Sequence, residues 1–135
     1  MKLLIDTHIF LWIFLEPEQF SSKARSFLED TDSNQFFVSD ASAWEASIKF
    51  GSGKLRLPER PEIFFADRIR QAGYGHLRID LRHVTRVHSL PNVHSDPFDR
   101  LLISQAKLEE MTIISNDRVF KQYKAVETLS LRDIS

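Results

Sequence analysis

Strand-like apolar stretches in this chain repeatedly run into an aspartate: Asp6 follows Leu3-Leu4-Ile5, Asp40 follows Phe37-Val38-Ser39, Asp80 follows Ile79, and Asp117 follows Ile114-Ser115-Asn116. The first run is continuously apolar rather than alternating, as in a strand buried on both faces. Helix-like stretches fill the intervals. Residues 8–15 are apolar nearly all round, and residues 22–31 place Ala24, Phe27 and Leu28 on one side. A third helix is predicted from Asp40 through Trp44 and Ile48 to Gly51, a suitable C′ residue. Pro61 opens a fourth that reaches Ala72 before Gly73. Leu77–Ile79 reads as an extended segment and residues 82–88 as a short helix. Asp96-Pro97 then starts a helix with Phe98, Leu101, Leu102, Gln105 and Ala106 at helical spacing. Met111–Ser115 and Val126–Leu129 read as the last strands.

Strands alternating with helices predict right-handed crossovers and a mostly parallel sheet covered on both faces. This is an α/β chain, and its 135 residues make one domain's worth. In such sheets ligands bind beyond the carboxyl ends of the strands, which is where the aspartates fall.

Several carboxylates at one sheet edge repel one another unless they are protonated or bridged by a cation. The chain has no cysteine, so thiolate metal sites and disulfides are excluded. Oxygen donors without a paired-His motif point to a hard cation, Mg²⁺ or Mn²⁺. His8, His76, His83, His88 and His94 show no metal-ligand spacing and are read as structural or exposed. No nucleophile elbow and no phosphate-cradling Gly-rich loop is present. With 18 basic and 19 acidic side chains the formal charge is −1. That argues against an indiscriminate nucleic-acid coat, not against a nucleic acid held in a local cleft.

Each acid also has a plain structural reading. Asp40 and Asp96 are placed to cap helices, Asp80 to sit in a loop or cap, and Asp117 to lie in a turn. Glu45 has two equal readings, a functional carboxylate or a partner of Lys49 one helical turn on. Asp6 ends a buried strand with no obvious capping position, which favours function. Asp99 lies at the edge of its helix's apolar face, where burial requires a partner.

At these residues the chain resembles a known family. Leu3-Leu4-Ile5-Asp6-Thr7-His8, Ser42-Ala43-Trp44-Glu45, His94-Ser95-Asp96-Pro97-Phe98-Asp99-Arg100-Leu101-Leu102 and Thr112-Ile113-Ile114-Ser115-Asn116-Asp117 are similar, in order and spacing, to the acidic blocks of PIN-domain ribonucleases of the VapC toxin type. Ser95 departs from the basic residue frequent there, and Ser115 takes the place of the usual threonine. The resemblance implies a PIN-like three-layer α/β/α domain over residues 1–135, and it selects Glu45 over Asp40.

It further implies that Asp6, Glu45, Asp99 and Asp117 bind one or two Mg²⁺ or Mn²⁺ ions and cut RNA by metal-activated water. Asp96 is an accessory ligand or only the helix cap. Thr7, Ser115 and Asn116 would orient waters or carboxylates, and Lys49, Lys54, Arg56, Arg100 and Arg118 are candidates for the RNA backbone. A homodimer, a small antitoxin partner and a cytoplasmic location are expected. No membrane-spanning or targeting segment is expected. Two alternatives stay open: a PIN nuclease of RNA processing or decay, and a PIN-like module that binds RNA or protein without cutting.

Overall fold

The computed structural model describes residues 1–134. Its sheet is entirely parallel, in the order β3-β2-β1-β4-β5. The strands are β1 (Lys2–Ile5), β2 (Gln35–Ser39), β3 (Gly75–Leu77), β4 (Thr112–Ile114) and β5 (Thr128–Leu129). The central position of β1 accounts for its unbroken apolar run. Leu3 and Ile5 join the core on one face and Leu4 the core on the other, all fully buried.

The helices are α1 (Thr7–Leu15), α2 (Ser22–Glu29), α3 (Asp40–Gly51), α4 (Pro61–Ala72), α5 (Leu81–Thr85) and α6 (Pro97–Glu109). One core holds Ile9 and Phe10 of α1, Ala24 and Leu28 of α2, and Phe64 and Phe65 of α4. The opposite core is built on Leu101, Leu102, Ile103 and Ala106 of α6, with Phe120 and Tyr123. The α/β/α layering follows from these two apolar faces. Along α1, Leu11–Leu15 are half-buried and packed against the first core, so the apolar circumference of this helix is largely used within the chain.

Several local details differ from the sequence reading. Asp40 is not the cap of α3. Ser39 is, with its hydroxyl accepting from the Ala41 N–H at 2.9 Å. A serine that ends a buried strand can turn its oxygen back onto the helix, which frees Asp40 to meet His76 and the Ile79 N–H. Gly51 is still helical, and the left-handed residue is Gly53 at φ +77°. Asp6, predicted to have no capping role, is the N-cap of α1. The third strand begins at Gly75, two residues before the predicted segment. A side chain at Gly75 would fall 2.7 Å from the Phe37 ring of β2, so glycine lets the two strands approach.

Candidate functional site

The strand order places β2 and β4 on opposite sides of β1, so successive connections leave the central strand in opposite directions. A crevice opens at that switch, beyond the carboxyl ends of β1 and β4. Asp6 follows β1, and its backbone N–H donates to the Ile114 carbonyl of β4 at 3.1 Å. Asn116 and Asp117 follow β4. Helix α3 brings Glu45 over the crevice and the first turn of α6 brings Asp99. A cleft of about 350 Å³ results, lined by Asp6, Thr7, Glu45, Asp99, Asn116 and Asp117, together with His8, Leu11, Trp12, Ala46, Lys49, Phe120 and Arg132. The four acids that the sequence singled out therefore share one wall-to-wall space.

Their environments differ. Asp6 is 5 % exposed, and burial pushes its carboxyl up to about 7 against the pull of the Ser115 hydroxyl and the Ile9 N–H, with Asp99 and Asp117 adding like charge. Its Oδ1 accepts from the Ile9 N–H at 2.7 Å. Burial likewise raises Asp99 to about 6, opposed by a hydrogen bond from His94 and reinforced by Asp96 and Glu45. Glu45 is buried and accepts from Lys49 Nζ at 2.9 Å, and it makes this pair from within the cleft lining. Asp117 is exposed and caps the turn that follows through the Val119 N–H at 3.0 Å.

Buried carboxylates whose ionised forms are disfavoured by burial and by one another are stabilised by an added cation. The donor set is all oxygen, and within it Lys49 at Glu45 is the ion pair to a lysine or arginine. These features fit a hard divalent cation held by Asp6, Glu45 and Asp99, with Asp117 at the rim.

The accessory residues divide. Asp96 is the N-cap of α6, accepting from the Asp99 N–H at 2.9 Å, and it lies outside the cleft lining. The Thr7 hydroxyl donates to Ser42 Oγ at 2.8 Å and ties α1 to α3. Ser115 is buried, with its Oγ accepting from the Asp117 N–H at 3.0 Å. Asn116 Oδ1 accepts from Ser130 Oγ and from the Leu131 N–H, both at 3.0 Å.

Of the five basic candidates, Lys49 alone lines the cleft. Lys54 and Arg56 lie in the exposed loop after α3, and Arg118 borders a neighbouring hollow shared with Asn116, Asp117 and Arg132. Arg100 is turned inward. It donates to the carbonyls of Val87, Pro91 and His94 at 3.0–3.2 Å and to the Tyr123 hydroxyl at 3.4 Å. Arg132 was missed because it sits far from every acidic block. So was the wall formed by His8 and Trp12, whose rings lie 4.0 Å apart. Spacing of i and i+4 on the helix that follows Asp6 would have flagged that pair.

Two other polar features lie apart from the cleft. A wider, more apolar groove between α3 and α4 holds Asp40 and His76. Asp80, His83 and Glu109 place ligand-type atoms within 4.8 Å of one another, but this group is already satisfied. Asp80 caps α5, His83 joins Glu109 at 3.0 Å, and Arg82 pairs with both acids.

The family model described as PIN domain matches residues 3–126. Ribonuclease VapC16 of Mycobacterium tuberculosis is 36% identical over 62 residues, which span 46% of this chain and 43% of that protein, so less than half of the relative's length is matched. Among solved structures, VapBC2 from Rickettsia felis bound to a DNA fragment from their promoter aligns with a TM-score of 0.75 at 15% identity, over 96% of this chain and 98% of that one. DNA-bound VapBC from Salmonella typhimurium gives 0.75 at 15% identity, over 97% and 98%. A PilT N-terminus domain protein from Sulfolobus solfataricus gives 0.57 at 14%, over 99% and 90%. At such identities the likeness is one of fold.

Proposed function

The chain belongs to the PIN-domain family, and on that premise we propose that it is a divalent-cation-dependent endoribonuclease acting as the toxin of a VapC-type toxin–antitoxin pair. The observation that carries this reading is the meeting of Asp6, Glu45, Asp99 and Asp117 in one cleft, with Asp6 and Asp99 both raised by burial. The partial likeness to a protein named as a ribonuclease supports the substrate class.

Asp6, Glu45 and Asp99 would hold Mg²⁺ or Mn²⁺, with Asp117 contributing from the rim. The chemistry such a cation supplies when bound is activation of water and neutralisation of charge developing on a phosphate. The protein's own groups do the rest. Asp6 is fixed by the Ile9 N–H at one oxygen, so its carboxylate is oriented before any ligand arrives. Lys49 and Arg132 give the cleft its positive groups and would receive the RNA backbone. The His8–Trp12 wall offers an aromatic surface for an unstacked base. Thr7 and Ser42 bond to each other, holding α1 and α3, and so Asp6 and Glu45, in fixed relation.

The toxin role rests on the VapBC complexes among the structural neighbours. It brings with it a small antitoxin partner and a homodimer. Trp44, 55 % exposed and edge-on to Phe98, is an apolar feature available to either. No helix among the described residues is long and apolar enough to cross a membrane.

The test is the chemistry of the product ends. Single-stranded RNA cut by this protein should carry 5′-phosphates and 3′-hydroxyls, the ends left when activated water attacks phosphorus and the 3′-oxygen departs. Cyclic 2′,3′-phosphate ends would mean attack by the RNA's own hydroxyl and would sink the mechanism. In the same experiment's cellular arm, induced expression should arrest growth and a co-expressed neighbouring small protein should relieve it. Unimpeded growth with abundant soluble protein would leave a nuclease of RNA processing in its place.

A further inference from the structure

The histidines show no ligand spacing in the sequence, yet one of them reaches the carboxylate cluster. His94 Nε2 lies 2.8 Å from Asp99 Oδ2, with both side chains about one-quarter exposed at 24% and 22%. The segment that carries His94, residues 91–96, has no regular secondary structure. Something else must hold it in place, and Arg100 does so. Its Nη1 donates to the carbonyls of Pro91 at 3.0 Å and His94 at 3.2 Å, and its Nη2 donates to the Val87 carbonyl at 3.1 Å. From the far end of the same segment, Asp96 caps α6. Asp99 and Arg100 are adjacent on the first turn of α6, so one residue offers a carboxylate to the cleft while the next clamps the loop that steadies it.

We propose that His94 is a positioning residue for Asp99, donating a hydrogen bond from Nε2 to Oδ2 so that the other carboxylate oxygen is presented to the cation, with Arg100 fixing the loop that delivers it. This rests on the metal-nuclease reading above. A carboxylate on a helix's first turn has several rotamers, and a donor to one oxygen selects among them. Partners of this kind orient metal ligands, and their loss typically weakens metal binding about 10–100-fold. The contact needs only a proton on Nε2, which both the neutral Nε2–H tautomer and the charged imidazolium supply. Charge is therefore not what the position selects for. A donor at that distance is.

The experiment measures Mn²⁺ affinity by calorimetry on the full chain for wild type, His94→Leu and His94→Gln, with thermal melts in EDTA alongside. The amide nitrogen of glutamine stands close to where Nε2 does and can donate. Expected is Mn²⁺ binding about tenfold weaker in His94→Leu and within about threefold of wild type in His94→Gln, with metal-free melting temperatures unchanged. Wild-type affinity in His94→Leu would overturn the proposal while leaving the nuclease reading standing. An equal large loss in both variants would also overturn it, since His94 would then be a ligand itself. No Mn²⁺ binding by the wild type would remove both this proposal and the reading beneath it.

Discussion

The Asp6 backbone N–H donates to the Ile114 carbonyl oxygen at 3.1 Å, extending the β1–β4 pairing one residue past the last paired strand residues, Ile5 and Ile114. Asp6 thereby leaves the sheet in extended geometry, φ −70° and ψ 163°, and its side chain caps α1 in the same step. One residue ends the central strand, starts the next helix and faces the cleft. Each of those roles makes a different demand on the side chain, and substitutions can separate them.

Asp6→Asn preserves the cap, because asparagine caps as well as aspartate, and removes one of several neighbouring negative charges. The metal-free variant should melt at or slightly above the wild-type temperature, while cleavage falls on the order of 100-fold or more, beyond the usual cost of losing a ligand's partner. Asp6→Ala should lose cleavage as well, and in addition roughly 1 kcal/mol of stability with the cap. A destabilised Asp6→Asn that still cleaves would make Asp6 a structural residue.

The raised carboxyls set the sign of a pH effect. Asp6 at about 7 and Asp99 at about 6 stand above the ordinary value of 3.8. Between about pH 4 and 7 the folded chain therefore holds more protons than the unfolded chain, and these groups stabilise the fold less as pH rises. His8, lowered first by burial, acts in the opposite direction, so the informative quantity is a difference. The melting temperature of metal-free wild type should drop relative to Asp6→Asn between pH 5 and pH 7.5. A gap that widens the other way would contradict the buried, cation-starved description of Asp6.

Salt dependence separates Arg100 from Lys49. Arg100 spends its guanidinium on Val87, Pro91, His94 and Tyr123, whereas Lys49 borders the cleft. In an Asp6→Asn background, RNA affinity plotted against salt on logarithmic axes should lose about 0.7 from its slope when Lys49 becomes alanine. Arg100→Ala should leave the slope alone and lower the melting temperature. An Arg100→Ala slope change matching that of Lys49→Ala would return Arg100 to the RNA path.

What the sequence revealed and what it hid divide along physical lines. The strands and helices were legible because Leu3-Leu4-Ile5 and the spacing of Leu101, Leu102, Gln105 and Ala106 report burial directly. Pro61 and Gly73 marked both ends of α4, and Gly73 does take the left-handed conformation at φ +73°. The cap of α3 was misassigned because Ser39 and Asp40 are both good caps, and only the pairing of Asp40 with His76 decides between them. Periodicity left Glu45 undecided, and in the structure it pairs with Lys49 while also lining the cleft. Arg100 looks like a free basic side chain beside Asp99 in the sequence, whereas in the structure its guanidinium is bonded to the carbonyls of Val87, Pro91 and His94. Arg132 carried no local signal, and only the fold brings it to the cleft. His94 opens the block that holds Asp99, but spacing alone does not show that its ring turns back onto that carboxylate.

The most direct measurement is cleavage of a labelled single-stranded RNA by protein stripped of metal with EDTA, before and after Mg²⁺ or Mn²⁺ is restored, with Asp6→Asn run alongside. Cleavage is assigned to a cation held by the carboxylates, so the stripped protein should be inactive, activity should return with either cation, and Asp6→Asn should stay inactive throughout. Undiminished cleavage by protein shown to be metal-free would contradict the account.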